Sequence, residues 1–243
     1  METKETYGKI NLILEDCMNI LCKLPDNAFD LAIVDPPYGI NSPNMQMGTN
    51  RHRSKGGYPG ESVAVKLKKG RLNSGGGKLK GRALQTMHIT WDYEVPSKEY
   101  FTELFRVSRN QIIWGGNYFD LPPSRGIICW DKKQPWTNFS QFELAWTSFD
   151  KPARMVRIST TGGANREKKI HPTQKPVSLY EWLLTNYAQA GWQILDTHGG
   201  SMSIALAAYN LGFDLTVIER DETYFRNARQ RLLYHQSQQR MAL

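Results

Sequence analysis

Residues 30–38 read Asp30-Leu31-Ala32-Ile33-Val34-Asp35-Pro36-Pro37-Tyr38: a short apolar run, a carboxylate, two prolines and an aromatic ring. Asp30–Val34 has the length and apolar content of a buried strand, and the proline pair ends it because proline has no N–H for a sheet ladder. On one side, Lys9–Glu15 (KINLILE) is a second β-rich run and Met18–Leu24 a brief helical stretch. On the other, Ser97 is the predicted cap of a helix reaching about Ser108, with Tyr100, Phe101, Leu104, Phe105 and Val107 on its apolar face. Gln111–Trp114, Gly126–Trp130 and Phe142–Phe149 are strand candidates, and Pro176 marks the first turn of a helix to about Gln189. A strand (Trp192–Leu195), a helix (Ser201–Leu211), a strand (Leu215–Ile218) and a charged helix from Glu222 complete the series. This alternation predicts an α/β fold, a doubly wound and mostly parallel sheet.

The 243 residues suffice for one full-sized domain, and 40% apolar content suffices for its core. No apolar run approaches the roughly 18 residues that span a bilayer, and the polar opening METKETYGK does not resemble a secretory signal. Cys17, Cys22 and Cys129 form neither a disulfide framework nor a zinc spacing, which predicts an intracellular, cytoplasmic protein. The net charge of +8 is unevenly placed. Residues 41–88 hold ten basic side chains (Arg51, Arg53, Lys55, Lys66, Lys68, Lys69, Arg71, Lys78, Lys80 and Arg82) against Glu61, with nine of the twenty glycines. Residues 151–169 hold six (Lys151, Arg154, Arg157, Arg166, Lys168 and Lys169) against Glu167. The remainder is mildly acidic at −6. The first stretch reads as a long Gly-rich insertion, either a solvated loop or a segment that orders against phosphates.

Four acids stand at predicted strand ends: Asp16, Asp35, Asp196 and Glu219. Ligands of doubly wound sheets bind at that edge, although helix capping is an alternative for one or two of them. With Asp35-Pro36-Pro37-Tyr38 after one strand and Asp196-Thr197-His198-Gly199-Gly200-Ser201 after a later one, the chain resembles the S-adenosylmethionine-dependent DNA amino-methyltransferases, which modify adenine N6 or cytosine N4. The likeness is carried by EDCMNILCKLPDNAFDLAIVDPPYG (15–39), WGGNYF (114–119), CWDK (129–132), HPTQKP (171–176), DTHGGS (196–201) and VIERDETYF (217–225). Because the tetrapeptide precedes the glycine loop, the order is similar to the permuted β class, and most similar to small phage and prophage members. The resemblance implies a Rossmann-like class I methyltransferase domain over 1–243, S-adenosylmethionine as cofactor, no metal, and double-stranded DNA as partner. A homodimer is frequent among such proteins, as is a restriction-modification or phage setting.

The family chemistry explains these residue types. An exocyclic amine conjugated to a base ring is a poor nucleophile. If the Asp35 carboxylate and the Pro36 carbonyl accept its N–H groups, the nitrogen can pyramidalise and aim its lone pair at the sulfonium methyl. Pro36 and Pro37 fix the backbone, and Tyr38 offers a stacking face worth on the order of 1–3 kcal/mol to a flipped base. None of the cysteines follows a proline, which excludes the Pro-Cys nucleophile of cytosine-C5 enzymes. For the cofactor, the resemblance implies Asp16 with Cys17 at the adenine amine, and Asp35, Asp196, Gly199, Gly200 and Ser201 along the loop. It places His171, Thr173 and Lys175 at the methionine end. Lys175 would face the methionine carboxylate, with a plain helix-entry turn as the alternative for this hexapeptide. Glu219 follows Asp196 by 23 residues, close to the roughly 20-residue spacing of ribose-binding acids.

The chain departs from the family where Asp-Pro-Phe-x-Gly-Ser-Gly-Thr is usual: Thr197, His198, Met202 and Ser203 stand instead, and Glu15 replaces a usual glycine. Met202 is expected to narrow the loop. His198 reads as a packing residue rather than a metal ligand. Trp114, Trp130, Trp136 and Trp146 read as core or sheet packing, with Trp91 a weaker candidate for the target pocket. Asp at the first tetrapeptide position points to adenine N6. Cytosine N4, a non-catalytic DNA-binding relative, and methylation of an RNA or protein amine are the alternatives, the last ranking lowest. Target reading falls to residues 151–169 or to the insertion, Lys151, Arg154 and Arg157 included.

Overall fold

A computed structural model describes residues 3–40, 92, 94–134, 140–160 and 169–238. Among the described residues, nine strands form one sheet: β1 (Thr3–Tyr7), β2 (Ile10–Leu14), β3 (Phe29–Val34), β4 (Ser108–Trp114), β5 (Ile128–Asp131), β6 (Phe142–Thr147), β7 (Arg154–Arg157), β8 (Gln193–Asp196) and β9 (Asp214–Glu219). Their order is β1-β2-β9-β8-β3-β4-β6-β5-β7. The five central strands, β2 to β4 in that order, run parallel. β1 is antiparallel to β2, and β6 is antiparallel to both β4 and β5.

The α-helices described are α1 (Cys17–Leu21), α2 (Lys98–Val107), α3 (Val177–Tyr187), α4 (Ser203–Leu211) and α5 (Glu222–Ser237). Strand periodicity divides the core into two layers, because successive side chains leave opposite faces. Leu31, Ile33, Ile112, Trp114, Ile194 and Val217 pack with α3, α4 and α5. Their neighbours Ala32, Val34, Ile113, Leu195 and Ile218 pack with α1 and α2. Helices on both faces explain why the central strands are apolar throughout rather than alternating.

Several expectations change at the edges. Thr3–Tyr7 is too polar to read as a strand, but it closes a hairpin on β2 in which Tyr7 pairs with Ile10. Ser97 occupies the cap position of α2 without capping through its side chain. Pro176 is the cap of α3 rather than its first turn, and α4 begins at Ser203 rather than Ser201. The second basic segment is not an appendage where it is described. Arg154–Arg157 is β7, parallel to β5, with Val156 buried. The insertion at 41–88, Trp91, Trp136, Arg166 and Lys168 lie outside the described residues.

Candidate active site

Between β8 and β3 the chain direction of travel across the sheet reverses, so the loops after these two strands diverge and leave a crevice. A cavity of about 500 Å³ opens there, lined by Asp16, Cys17, Asp35, Pro37, His171, Thr173, Lys175, Gly199, Gly200, Ser201 and Glu219. These residues come from four strand ends and the loop before α3, so folding alone brings them together. Of the predicted catalytic and cofactor residues, Pro36 (buried) and Tyr38 do not line this cavity, and neither does Asp196. Asp196 is buried below the wall of the cavity, where its Oδ1 accepts from the His198 N–H at 3.0 Å. Burial pushes its carboxyl up to about 7.

The loop from Thr197 to Met202 is held from three sides. Glu219 Oε2 accepts from the Gly200 N–H at 2.6 Å and Oε1 from Asp221 N–H at 2.7 Å, leaving other lone pairs of the carboxylate toward the cavity. The Tyr100 hydroxyl meets Thr197 Oγ1 at 2.7 Å, and Arg231 donates to the Ser201 carbonyl at 2.9 Å. Gly199 is needed for close approach, since a Cβ there would lie 2.6 Å from Val217 Cγ1. Met202 corrects the expectation of a narrowed loop. It adopts the left-handed region at φ 50°, ψ 38°, but its side chain is fully buried in the α3–α5 layer and does not line the cavity.

His198 is a packing residue, stacked edge-on against Tyr100 with Nδ1 2.9 Å from Thr197 Oγ1. Burial lowers its pKa to about 3, and His171 is lowered to about 3 by burial and then by Lys175. Both imidazoles are therefore neutral near pH 7. Asp16 serves as the cap of α1, its Oδ1 accepting from the Met18 N–H at 2.9 Å. Capping and cavity lining coexist, because a carboxylate has more lone pairs than one N–H uses.

Asp35 sits at the end of β3 with both oxygens engaged. The Tyr38 hydroxyl donates to Oδ1 at 2.6 Å, and Lys175 Nζ lies 2.5 Å from Oδ2. Lys175 thus turns toward Asp35 rather than waiting for a distant carboxylate. Its side chain is 3% exposed and lies 3.2 Å from Glu143 Oε2 as well. Burial pushes Asp35 upward against the pull of Lys175. Burial would lower Lys175, but Asp35 and Glu143 together hold it above the ordinary lysine range. Tyr38 is held well above 10 by burial and the nearby carboxylates, so its hydroxyl remains a donor.

The turn after Asp35 is pinned from a distance in sequence. Asp92 Oδ1 accepts from the Tyr38 N–H at 2.7 Å and the Gly39 N–H at 3.0 Å. The Tyr38 ring stacks on Tyr118 (centroids 5.0 Å, 15°) and meets Phe119 edge-on. Gly115 passes so close that a Cβ there would sit 2.3 Å from Tyr38 Cε1. The WGGNYF segment is therefore the wall against which Tyr38 rests. Asp92, Glu143 and Tyr118 are not singled out by sequence reasoning. Glu143 lies in an ordinary strand, Asp92 beside an unpatterned stretch, and only the WGGNYF motif signals Tyr118.

Lys151, Arg154 and Arg157 are exposed near the β7 edge, each beside a protein group. Lys151 stands 5.2 Å from the Phe149 ring, Arg154 donates to Asn186 at 2.7 Å, and Arg157 lies 3.3 Å from Asp131 Oδ2. Trp114, Trp130 and Trp146 are buried, as expected of packing residues. Arg51, Arg53, Lys55, Lys66, Lys68, Lys69, Arg71, Lys78, Lys80 and Arg82 lie outside the described residues.

The parallel centre, its reversal point and the cavity at its carboxyl edge define a class I methyltransferase fold. Two solved structures share it. M1.HpyAVI in complex with SAM is 19% identical with a TM-score of 0.55, covering 92% of this chain and 100% of that one. The PvuII DNA methyltransferase (cytosine-N4-specific) is 12% identical with a TM-score of 0.54, covering 98% and 89%. The N6/N4 methyltransferase family model, described as DNA methylase, matches residues 92–230, more than half of the chain, and the chain belongs to that family. Among its relatives, Type II methyltransferase M2.DpnII of Streptococcus pneumoniae is 24% identical over 260 residues, covering 95% of this chain and 92% of the relative. M2.LlaDCHI of Lactococcus lactis subsp. cremoris is 23% identical over the same coverage.

Proposed function

We propose that this DNA methyltransferase transfers a methyl group from S-adenosylmethionine to adenine N6 of a base extruded from double-stranded DNA. The observation that carries the reading is that Asp35 and Pro37, from the Asp35–Tyr38 turn, line one cavity with the Gly199–Ser201 loop. A cavity of about 500 Å³ suits a cofactor of that size, within the roughly 300–1,000 Å³ usual for such sites. Its residues fit the group: Glu219 keeps lone pairs for ribose hydroxyls, and Asp16 for the adenine amine. When bound, the cofactor supplies an electrophilic methyl on a sulfonium. Asp35 and the Pro36 carbonyl accept the N–H groups of the target amine and orient its lone pair. Tyr38 lends its ring to the flipped base, taking over contacts that Tyr118 makes in the structure.

The aspartate at the head of the tetrapeptide supports adenine over cytosine, since the cytosine-N4 enzymes more often begin with serine. The Type II relatives support a restriction-modification setting. Among the described residues, no helix is long and apolar enough to cross a membrane. The test is incubation with methyl-labelled cofactor and duplex DNA, followed by digestion to nucleosides. Label in N6-methyladenine is expected. Label only in N4-methylcytosine overturns the adenine assignment, and label in neither, with no cofactor binding heat in calorimetry, identifies a non-catalytic relative.

A further inference from the structure

One half-buried acid beside the proposed active turn, Glu143, touches neither the target amine nor the cofactor in the proposed transfer. Glu143 stands in β6, on the far side of β4 from Asp35, and its carboxylate lies between two ammonium groups. Lys132, just past β5, pairs with Oε1, and Lys175 Nζ lies 3.2 Å from Oε2. Oε2 is buried and makes no aligned hydrogen bond among the described residues, so what holds it there is the ionic contact to Lys175. Lys175 then reaches Asp35 Oδ2 at 2.5 Å and the Tyr38 hydroxyl at 3.3 Å. Charges alternate along Lys132, Glu143, Lys175 and Asp35, and their sum is zero.

This is more charge than packing requires. A single Lys175–Asp35 pair would already be neutral, and buried ion pairs are seldom more stable than apolar groups of the same volume. What the extra pair supplies is geometry. An ammonium has three donors; Lys175 contacts Asp35 and the Tyr38 hydroxyl on the active turn, and its remaining charge faces Glu143 on β6 as an ion pair. The Trp114 ring, 5.1 Å away, closes another side. Without the Glu143 charge, the Lys175 ammonium would be shared by no second carboxylate and its full attraction would fall on Asp35, in competition with a target amine for the same lone pairs.

We propose that Glu143, anchored by Lys132, is a positioning residue for Asp35: it holds the Lys175 ammonium between two carboxylates, so that Asp35 presents one geometry and one charge state to the amine. The mechanistic half of this rests on the methyltransferase reading. The electrostatic half does not. The groups acting on Asp35 are Lys175 from the loop before α3, Tyr38 from its own turn, Glu143 from β6, Tyr180 from α3 and Asp196 from β8. Of these, the Glu143 charge raises the proton affinity of Asp35 and Lys175 lowers it.

The experiment follows the Asp35 carboxyl by carbon-13 NMR across pH in the full chain, assigned with Asp35→Asn. Glu143→Gln keeps the shape and removes the charge, and should move the Asp35 midpoint to lower pH. Glu143→Asp should stay near the parent, and Lys132→Gln should move the midpoint the opposite way, to higher pH. An Asp35 midpoint unmoved by Glu143→Gln, or moved the same way by Lys132→Gln, overturns the proposal; the Lys132 variant also serves if Glu143→Gln does not fold. This readout needs no turnover, so failure of the parent protein to methylate DNA would strike the functional reading separately. Where the parent is active, Glu143→Gln should lower kcat on the order of 10–100-fold with KM for DNA unchanged. A loss confined to KM would contradict a positioning role.

Discussion

His198 and His171 show how a single side chain couples this site to pH. His171 is buried and His198 half-buried at the cavity wall; desolvation holds both at about 3, whereas the unfolded chain binds their protons near 6.5. As pH falls below 6.5 the unfolded state gains protons that the native state refuses, so stability drops by ~1.4 kcal/mol per pH unit for each. Asp196 opposes them. Held at about 7 against 3.8 unfolded, it keeps a proton that the unfolded chain has lost, and its contribution falls as pH rises through that window. Between about pH 4 and 6.5 two protons on the unfolded side face one on the native side, and acid destabilises. His198→Gln should flatten the dependence, read by urea unfolding at pH 7, 6 and 5; an unchanged slope would contradict the burial argument. Lys175 differs from these histidines in owing its role to distant charges. HPTQKP makes it conspicuous in sequence, but its orientation toward Asp35 and Glu143 follows from partners 140 and 32 positions away.

At the scale of elements, the junction between β8 and α4 shows a local rule broken and compensated. The left-handed conformation at residue 202 favours glycine, and a side chain there costs roughly 1–2 kcal/mol. Met202 offsets this by filling the layer beneath α4, where truncating a buried methionine costs about 2–5 kcal/mol. Met202→Gly should therefore destabilise by about 0–4 kcal/mol in denaturant unfolding, the balance of the two figures. A stabilised variant would mean that backbone strain outweighs the packing. From sequence this position looks like damage to a ligand loop, because a motif comparison registers the missing glycine and is blind to the direction of the side chain. Elements with strong periodicity were legible. β3, α2, α4 and α5 lie within a few residues of their expected limits, whereas β1 and β7 were hidden. Edge strands have one neighbour and solvent on the other side, so their sequences can be polar and leave no apolar pattern.

For the whole molecule, the +8 charge resolves into an acidic body and basic segments. Gly39 and Val95 lie in contact, with a Cβ on Gly39 only 3.1 Å from Val95 Cγ1, and Asp92 bonds the Tyr38–Gly39 backbone. The described residues that flank the sequence carrying Arg51–Arg82 thus lie together, beside the proposed active turn. Deleting residues 51–82 should leave cofactor binding intact. It should weaken DNA binding and flatten its dependence on salt, since each phosphate that is no longer neutralised takes about 0.9 off the slope of log K against log salt. Unchanged affinity and slope would assign DNA binding to other surfaces, with β7 and its Arg154 and Arg157 the next to replace. The sequence by itself determined the layer structure and the two ligand-facing loops, because strand and helix periods and turn residues are local properties. It also marked Asp35–Tyr38 and Gly199–Ser201, the two segments on which the proposed function rests. Only the tertiary structure decided that Glu143 joins Lys175 and Asp35, that Asp92 pins Tyr38, and that Met202 points inward. Those outcomes depend on which strands become neighbours across the sheet, and a charge or a rotamer has no meaning for the site until that neighbour is present.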